Sequence, residues 1–231
     1  MKGLKSVAGI FTLIFFLSLP SFSYGEDKVE GSASVSFMSS YVWRGIQLSD
    51  DEFVIQPSVG ISYKGFSVNF WSNYNTDTTE EDETDYTLDF SNAIGKVGYS
   101  FGYIYYALSG VEDSQELYGA VSYDVILSPS LTVYRDFDEF LSTYVVVSVG
   151  HDFKVEDFTI SAGASISYYF YDNAEDDWQN FEVSLSTSIP VGNHFSIDPM
   201  VAYSAGLYED ESVGTELDDE FYGGVTVAFN F

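Results

Sequence analysis

From residue 34 onward, apolar and polar residues alternate with a period of two, the signature of strands whose two faces meet different surroundings. A first strand sets Val35, Phe37, Tyr41 and Trp43 against Ser34, Ser36, Ser40 and Arg44. A second sets Phe53, Ile55, Val59, Ile61 and Tyr63 against Gln56, Ser58, Gly60 and Ser62, and turns at Lys64-Gly65. The third follows at once, with Phe66, Val68, Phe70 and Tyr74 opposing Ser67, Asn69, Trp71 and Asn73. The unit repeats through Tyr86–Phe90, Val97–Tyr105, Leu117–Tyr123, Leu131–Arg135, Tyr144–Phe153, Phe158–Tyr171, Phe181–Ile189 and Phe195–Leu207. In the final strand Phe221, Gly223, Val225, Val227, Phe229 and Phe231 oppose Tyr222, Gly224, Thr226, Ala228 and Asn230. An aromatic at its end is expected of the closing strand of a bacterial outer-membrane barrel, with apolar side chains toward lipid and polar ones toward a wet lumen.

This pattern predicts an all-β chain, a transmembrane antiparallel up-and-down barrel of about twelve strands, or ten if one hairpin near Leu117, Leu131 and Tyr144 is dropped. Short turns and long acidic loops are expected to alternate strictly, with both chain ends on the short-turn side, which in such barrels is periplasmic. A soluble sandwich also alternates, but its outer face usually carries charge. Here the polar faces are mostly Ser, Gly, Asn and Thr. Aromatics at strand ends suggest a membrane girdle: Tyr41, Trp43, Tyr63, Phe66, Tyr74, Phe153, Phe158, Phe170, Phe195 and Phe231.

Composition adds a compartment. Lys2 and Lys5 precede an apolar run from Val7 to Leu19 that is too short for a membrane helix, and Ser23-Tyr24-Gly25 offers a cleavage site before Glu26. Residues 1–25 are therefore expected to be a cleaved signal peptide and 26–231 a single outer-membrane barrel domain. All 36 acidic residues lie after Gly25 but only six of the eight basic ones, so that domain carries a net charge of −30. Such a balance excludes nucleic acid as a partner and favours cations over anions near the surface. The chain has no cysteine, so disulfides and thiolate metal sites are excluded.

Candidate chemistry is sparse. Arg44 falls on the lumen face, where it is expected to pair with an inward carboxylate such as Asp50 or Asp89, or to contact an anionic group on a solute. With it, Gln56, Asn69, Trp71, Asn73, Asp89, Glu182 and Asp198 are the expected pore-lining residues, and the three carboxylates offer a cation path. Arg135, outward and near a loop, is placed to snorkel or to meet lipopolysaccharide phosphate. A lipid hydrolase needs a serine within reach of a histidine. His151 and His194 instead fall at the short-turn ends, so no enzymatic activity and no cofactor are expected. The acidic runs Asp77–Glu83 and Glu175–Asp177 offer oxygen ligands without the spacing of a dedicated calcium loop.

One stretch carries a family resemblance. Ser39-Ser40-Tyr41-Val42-Trp43-Arg44-Gly45-Ile46-Gln47-Leu48-Ser49-Asp50 resembles a signature segment of the TorF-type porin family of proteobacterial outer-membrane barrels. Gln56-Pro57, Gly65-Phe66 and Trp71-Ser72-Asn73 resemble the family's next hairpin, and Gly102–Tyr106, Glu116-Leu117-Tyr118 and Ser128-Pro129 its weaker later signatures. Ser40 stands where many relatives show Asp, which removes a carboxylate beside Arg44. The resemblance implies a barrel with a channel function and no particular substrate. The expected function is passive diffusion of small hydrophilic solutes, preferring cations, in the outer membrane of a Gram-negative bacterium. The expected partners are outer-membrane lipid, lipopolysaccharide and the barrel assembly machinery; oligomeric state is left open. The alternative is a structural or surface-interaction barrel plugged by inward Trp71, Tyr106, Tyr118, Tyr134, Tyr169 and Tyr222.

Overall fold

The computed structural model describes residues 28–77, 80–155, 158–172, 174–207, 209–210 and 215–231, and the expected signal segment 1–25 lies outside them. Twelve strands follow one another around a single sheet: β1 (Glu30–Met38), β2 (Val54–Tyr63), β3 (Phe66–Asn75), β4 (Glu80–Ile94), β5 (Val97–Leu108), β6 (Ser114–Tyr123), β7 (Ser130–Asp136), β8 (Ser142–Val155), β9 (Phe158–Tyr171), β10 (Asp177–Thr187), β11 (Phe195–Gly206) and β12 (Glu220–Asn230). Each pairs antiparallel with its sequence neighbours, and Ile189–Val191 continues the β10 side of the ladder against β11. β1 then pairs with β12 from Ser32↔Asn230 to Met38↔Gly224, which closes the barrel. Reciprocal Gly31–Phe231 backbone bonds of 2.8 and 2.9 Å extend that seam by one more pair. Closure satisfies the backbone internally and leaves no sheet edge open.

The alternation in the sequence is the alternation of the wall. Ile61, Phe66, Val68, Leu88, Phe101, Leu117, Leu185 and Phe221 are each more than half exposed or nearly so on the outside, while Asn69, Ser100, Ser148, Ser196 and Thr226 are buried inside. An apolar exterior of this extent has no solvent-compatible counterpart in a monomeric soluble protein. Inward hydroxyls and amides bond across strands, as in Ser36–Thr226 (2.8 Å), Ser130–Ser148 (2.6 Å) and Ser58 to Asn69 (3.1 Å). At Gly102 the missing side chain makes room for the Tyr118 ring, which lies across that position and donates to Asp89 at 2.6 Å.

Three expectations need correction. The first strand stops at Met38, so Tyr41 and Trp43 are not girdle residues; Tyr41 is buried inside the barrel and Trp43 meets Tyr106 there edge to face. The Asp77–Asp85 run is not all loop: β4 begins at Glu80, and Glu83 and Asp85 are buried in the wall's inner face. Because strands extend into the acidic runs, the acidic-side connections 76–79, 109–113, 137–141 and 172–176 are short, and only 39–53 and 207–219 are long. Polar side chains can extend a strand there because the inner face is not an apolar core.

A closed ladder should survive detergent. Without boiling, the protein should migrate faster on gels than after boiling, and identical migration would contradict closure. On the outward face of the seam, Phe231 stacks on Phe229 with ring centroids 5.4 Å apart. Phe231→Asp should therefore lower the fast-migrating fraction more than Asn230→Asp.

Candidate functional site

The segment 39–53 leaves the wall and folds into the barrel. Ser39 ties its exit to β12, its N–H donating to Gly223 O at 2.8 Å and its Oγ accepting from Gly223 N–H at 3.0 Å. Val42–Trp43 then pairs with Ile46–Gln47 in a small hairpin turned at Arg44 (φ 53°) and Gly45 (φ 83°). At Gly45 a side chain would meet both that left-handed backbone and the Asn180 side chain, 2.9 Å from where its Cβ would lie. Ser49 Oγ accepts from Tyr41 N–H (2.8 Å) and donates to Glu52 O (3.0 Å), so the return limb is fastened to the outgoing one. Gln179 of β10 donates to Arg44 O at 3.1 Å.

The segment docks on two surfaces. Tyr41 and Val42 pack into an apolar cluster with Met38, Val54, Trp71, Met200, Ala202 and Tyr222, with the Tyr41 and Trp71 rings 5.5 Å apart. Arg44 reaches the opposite chemistry. Its guanidinium donates to both oxygens of Glu116, at 2.9 and 2.7 Å, and to the Tyr169 hydroxyl at 2.9 Å. Tyr106 also donates to Glu116, at 2.8 Å. The guanidinium lies 4.3 Å from the Trp43 ring centroid, 4.7 Å from that of Tyr134 and 4.4 Å from that of Tyr144. Side-chain exposure is 6% for Arg44 and 2% for Glu116, so the charges are desolvated and depend on this bidentate geometry and the aromatic faces.

Arg44 is thus in the lumen, but at the tip of an inward hairpin, and its partner is Glu116 rather than Asp50 or Asp89. Asp50 is exposed, and Asp89 accepts from Tyr118. Gln56 donates to Asn73 at 3.0 Å, and Asn73 donates to Asp82 at 2.6 Å. Asn69 accepts from Ser58, and Trp71 supports Tyr41. Glu182 accepts from Tyr222 at 2.7 Å, and Asp198 from Ser188 and Ser196. The segment gathers Arg44 and Trp71 at its two docking surfaces, while Asp89, Glu182 and Asp198 each sit with a hydroxyl of their own neighbourhood. Sequence reasoning missed Glu83, Asp85, Glu116, Asp136 and Tyr144, all buried. The signal for most was present: Glu83 and Asp85 share the odd-numbered register of Asp89, and Glu116 that of Tyr118.

At the rims, Arg135 forms a bidentate pair with Asp172 (2.8 and 2.6 Å), which holds the Asp172 carboxyl below the usual carboxylate range. His151 and His194 each place Nδ1 on a backbone carbonyl, of Ile126 and Asn230. Asp51, Asp218, Asp219 and Glu220 line an open acidic recess of about 570 Å³.

A closed, twelve-stranded antiparallel barrel with an apolar exterior and a polar interior is the architecture of porin-like outer-membrane barrels. The chain is a member of the family described as "Bacterial protein of unknown function (Gcw_chp)", whose model matches residues 24–203. Its fold is similar to that of the KdgM porin (TM-score 0.60, 11% identity, 87% of this chain and 99% of that one). It is also similar to the NanC porin (0.56, 12%, 87% and 99%) and to the COG4313 outer membrane channel from Pseudomonas putida F1 (0.54, 8%, 90% and 98%). These solved structures are of two porins and one outer membrane channel, and at such identities the likeness concerns the fold alone. No curated protein matches the sequence.

Removing one partner of a buried pair leaves the other charge uncompensated, at a cost of about 3–5 kcal/mol. Glu116→Gln should therefore lower the thermal unfolding midpoint of the barrel in micelles well below that of Asp172→Asn, whose pair is exposed. Equal midpoints would show that Arg44 finds another partner.

Proposed function

We propose that the protein is an outer-membrane channel of the TorF type through which small hydrophilic solutes diffuse passively, with cations preferred and the segment 39–53 setting the narrowest cross-section. The observation that carries this reading is the chemistry of the lumen. Asp85 and Asp89 face inward from β4, Glu182 from β10 and Asp198 from β11, against one inward guanidinium, Arg44, that is already neutralised by Glu116. The other described basic residues, Lys28, Lys64, Lys96, Arg135 and Lys154, lie at the rims. Inward carboxylates and an acidic mouth raise the local concentration of cations and oppose anions. In this reading the short-turn rim, which carries both described ends, is periplasmic, and the acidic rim with its recess faces outward toward lipopolysaccharide. We assign no catalytic chemistry to the chain, and the fold of its porin and channel relatives supports a transport role.

A second reading is favoured by one observation. The cluster around Tyr41 and the clamp around Arg44 meet the wall on two sides, as expected of a resident plug, and a barrel so plugged would serve a structural or surface-interaction role.

Planar-bilayer recording of the refolded protein separates the two. An open channel gives single-channel steps and a reversal potential of cation-selective sign in a KCl gradient. Loop charges are screened over about 10 Å at 0.1 M salt, so neutralising Asp50, Asp51 and Asp218 should matter mainly at low salt. Combined Asp89→Asn, Glu182→Gln and Asp198→Asn should reduce cation preference at high salt as well. Silence would favour the plug, and anion preference would overturn the acidic-lumen argument. Recovery from the soluble periplasmic fraction rather than the outer membrane would overturn both readings.

A further inference from the structure

The cross-strand registers line up one row of inward positions through six strands. Asp89 on β4 faces Gly102 on β5, which faces Tyr118 on β6, followed by Tyr134 on β7, Tyr144 on β8 and Tyr169 on β9. Successive tyrosine rings have centroids 5.4, 6.0 and 4.8 Å apart, so the row is a continuous aromatic band that ends in a carboxylate. Because Gly102 has no side chain, the Tyr118 ring lies across it to reach Asp89. The two ends of the band differ. Over Tyr134, Tyr144 and Tyr169 lies the Arg44 guanidinium, and its carboxylate partner, Glu116, is the inward position next to Tyr118 on β6. At the other end, no basic side chain among the described residues reaches Asp89. That carboxylate accepts from Tyr118 through Oδ2 alone, its Oδ1 has no hydrogen-bond partner, and it is only half-buried. The Tyr118 and Tyr134 side chains are half-buried too. Toward the short-turn rim the next inward row is Ser91, Ser100, Ala120 and Thr132, residues too small to cover them.

We propose that Asp89, Tyr118 and Tyr134 form a binding site for a small organic cation of the guanidinium class on an alkyl stem, open to the lumen on the short-turn side of the Arg44 clamp. Arg44 displays the same chemistry at the occupied end of the band: a carboxylate meets the N–H groups and tyrosine rings meet the plane. A guanidinium is planar and weakly hydrated, so it gains from an aromatic face as well as from a carboxylate. Magnesium gives up its water reluctantly and would gain little from the rings. In the proposed site Asp89 Oδ1 accepts from the solute's N–H groups, Tyr118 and Tyr134 supply the aromatic surface, and the small residues of the next row leave room for the stem. A solute that also carried a carboxylate would be opposed by the acidic lumen, so the ligand is a cation overall. This inference deepens the channel reading and rests on it, because the solute arrives through a water-filled lumen.

Binding is measurable without conduction. The full chain, refolded in micelles, is titrated calorimetrically with agmatine, a guanidinium on an alkylamine stem, at about 0.3 M KCl, where loop charges are largely screened. Fast migration on unheated gels checks that each variant has closed. Wild type should show one saturable site, and putrescine, with an ammonium in place of the guanidinium, should bind more weakly. Asp89→Asn should weaken agmatine binding roughly tenfold or more. Tyr118→Leu should weaken it roughly fivefold, whereas Tyr118→Phe, which keeps the ring, should bind as wild type does. Glu112→Gln with Glu175→Gln, on exposed loops, should leave the affinity unchanged. Equal isotherms for wild type and Asp89→Asn, or equal affinities for agmatine and putrescine, would show attraction by acidic charge alone and overturn the proposal. No saturable binding by wild type would also overturn it, while single-channel steps from the same preparation would leave the channel reading standing. Saturable binding with a silent bilayer would keep the site and overturn conduction.

Discussion

The interior of this barrel is organised by one buried guanidinium. A chain of this acidity has few positive charges to place, and among the described residues only Arg44 is placed inside. A lone inward arginine in a polar but narrow space cannot stay hydrated, so its position is acceptable only where a carboxylate meets it in bidentate geometry and aromatic faces replace its water. Glu116, Tyr169, Trp43, Tyr134 and Tyr144 come from β6, β9, the hairpin itself, β7 and β8. These strands are adjacent in the sheet, so one side of the wall builds the receptor and the segment 39–53 supplies the ligand. The apolar seat of Tyr41 and Val42 lies on strands toward the seam, β2, β3, β11 and β12. Two chemically opposite docking surfaces explain why the segment enters rather than extends β1.

What the sequence made legible follows from which forces are local. Strand alternation is local and binary, so the wall, its inward and outward faces and the order of its strands could be read from residues such as Val59–Ile61 or Phe221–Phe229 directly. The twelfth-strand closure onto β1 was legible too, because both strands carry the same two-faced pattern. The inward fold of 39–53 was not, since Val35, Phe37, Tyr41 and Trp43 fall in one unbroken odd-numbered register and nothing in that register marks Met38 as the end of a strand. Arg44-Gly45 was the local clue: a charged residue and a glycine in succession form a turn, not a strand end. The partner of Arg44 was beyond reach, because choosing Glu116 over Asp89 depends on how β5 and β6 are placed around the wall. Asp89 was already committed to Tyr118 by the space above Gly102, a contact three strands wide.

The same limit applies to the acidic runs. Charge clustering reads as loop in an ordinary globular chain, where a buried carboxylate is rare. In a barrel the inner face is polar, so a strand can carry Glu83 and Asp85 inward without leaving the ladder, and only the alternation upstream of Asp89 distinguishes that from a loop. The residues that carry the TorF-type resemblance show the consequence. Tyr41, Trp43, Arg44 and Gly45, then Trp71, then Tyr106, then Glu116 are distant in sequence, yet all meet at the inward segment.

A resident segment does not by itself close a barrel. Arg44 and Glu116 neutralise each other, so the clamp adds bulk and little net charge, and the uncompensated inward charge lies on carboxylates elsewhere on the wall. On the channel reading proposed above, the segment would be a steric restriction beside an acidic surface, and Asp85, Asp89, Glu182 and Asp198 the charges that a passing ion would meet. Separating those two tasks would place any selectivity on the strands and any aperture on a loop tethered at Ser39 and Ser49. On that reading, a change in the segment would alter the aperture without changing the sign of the charge on the wall, and a change in the wall would do the reverse.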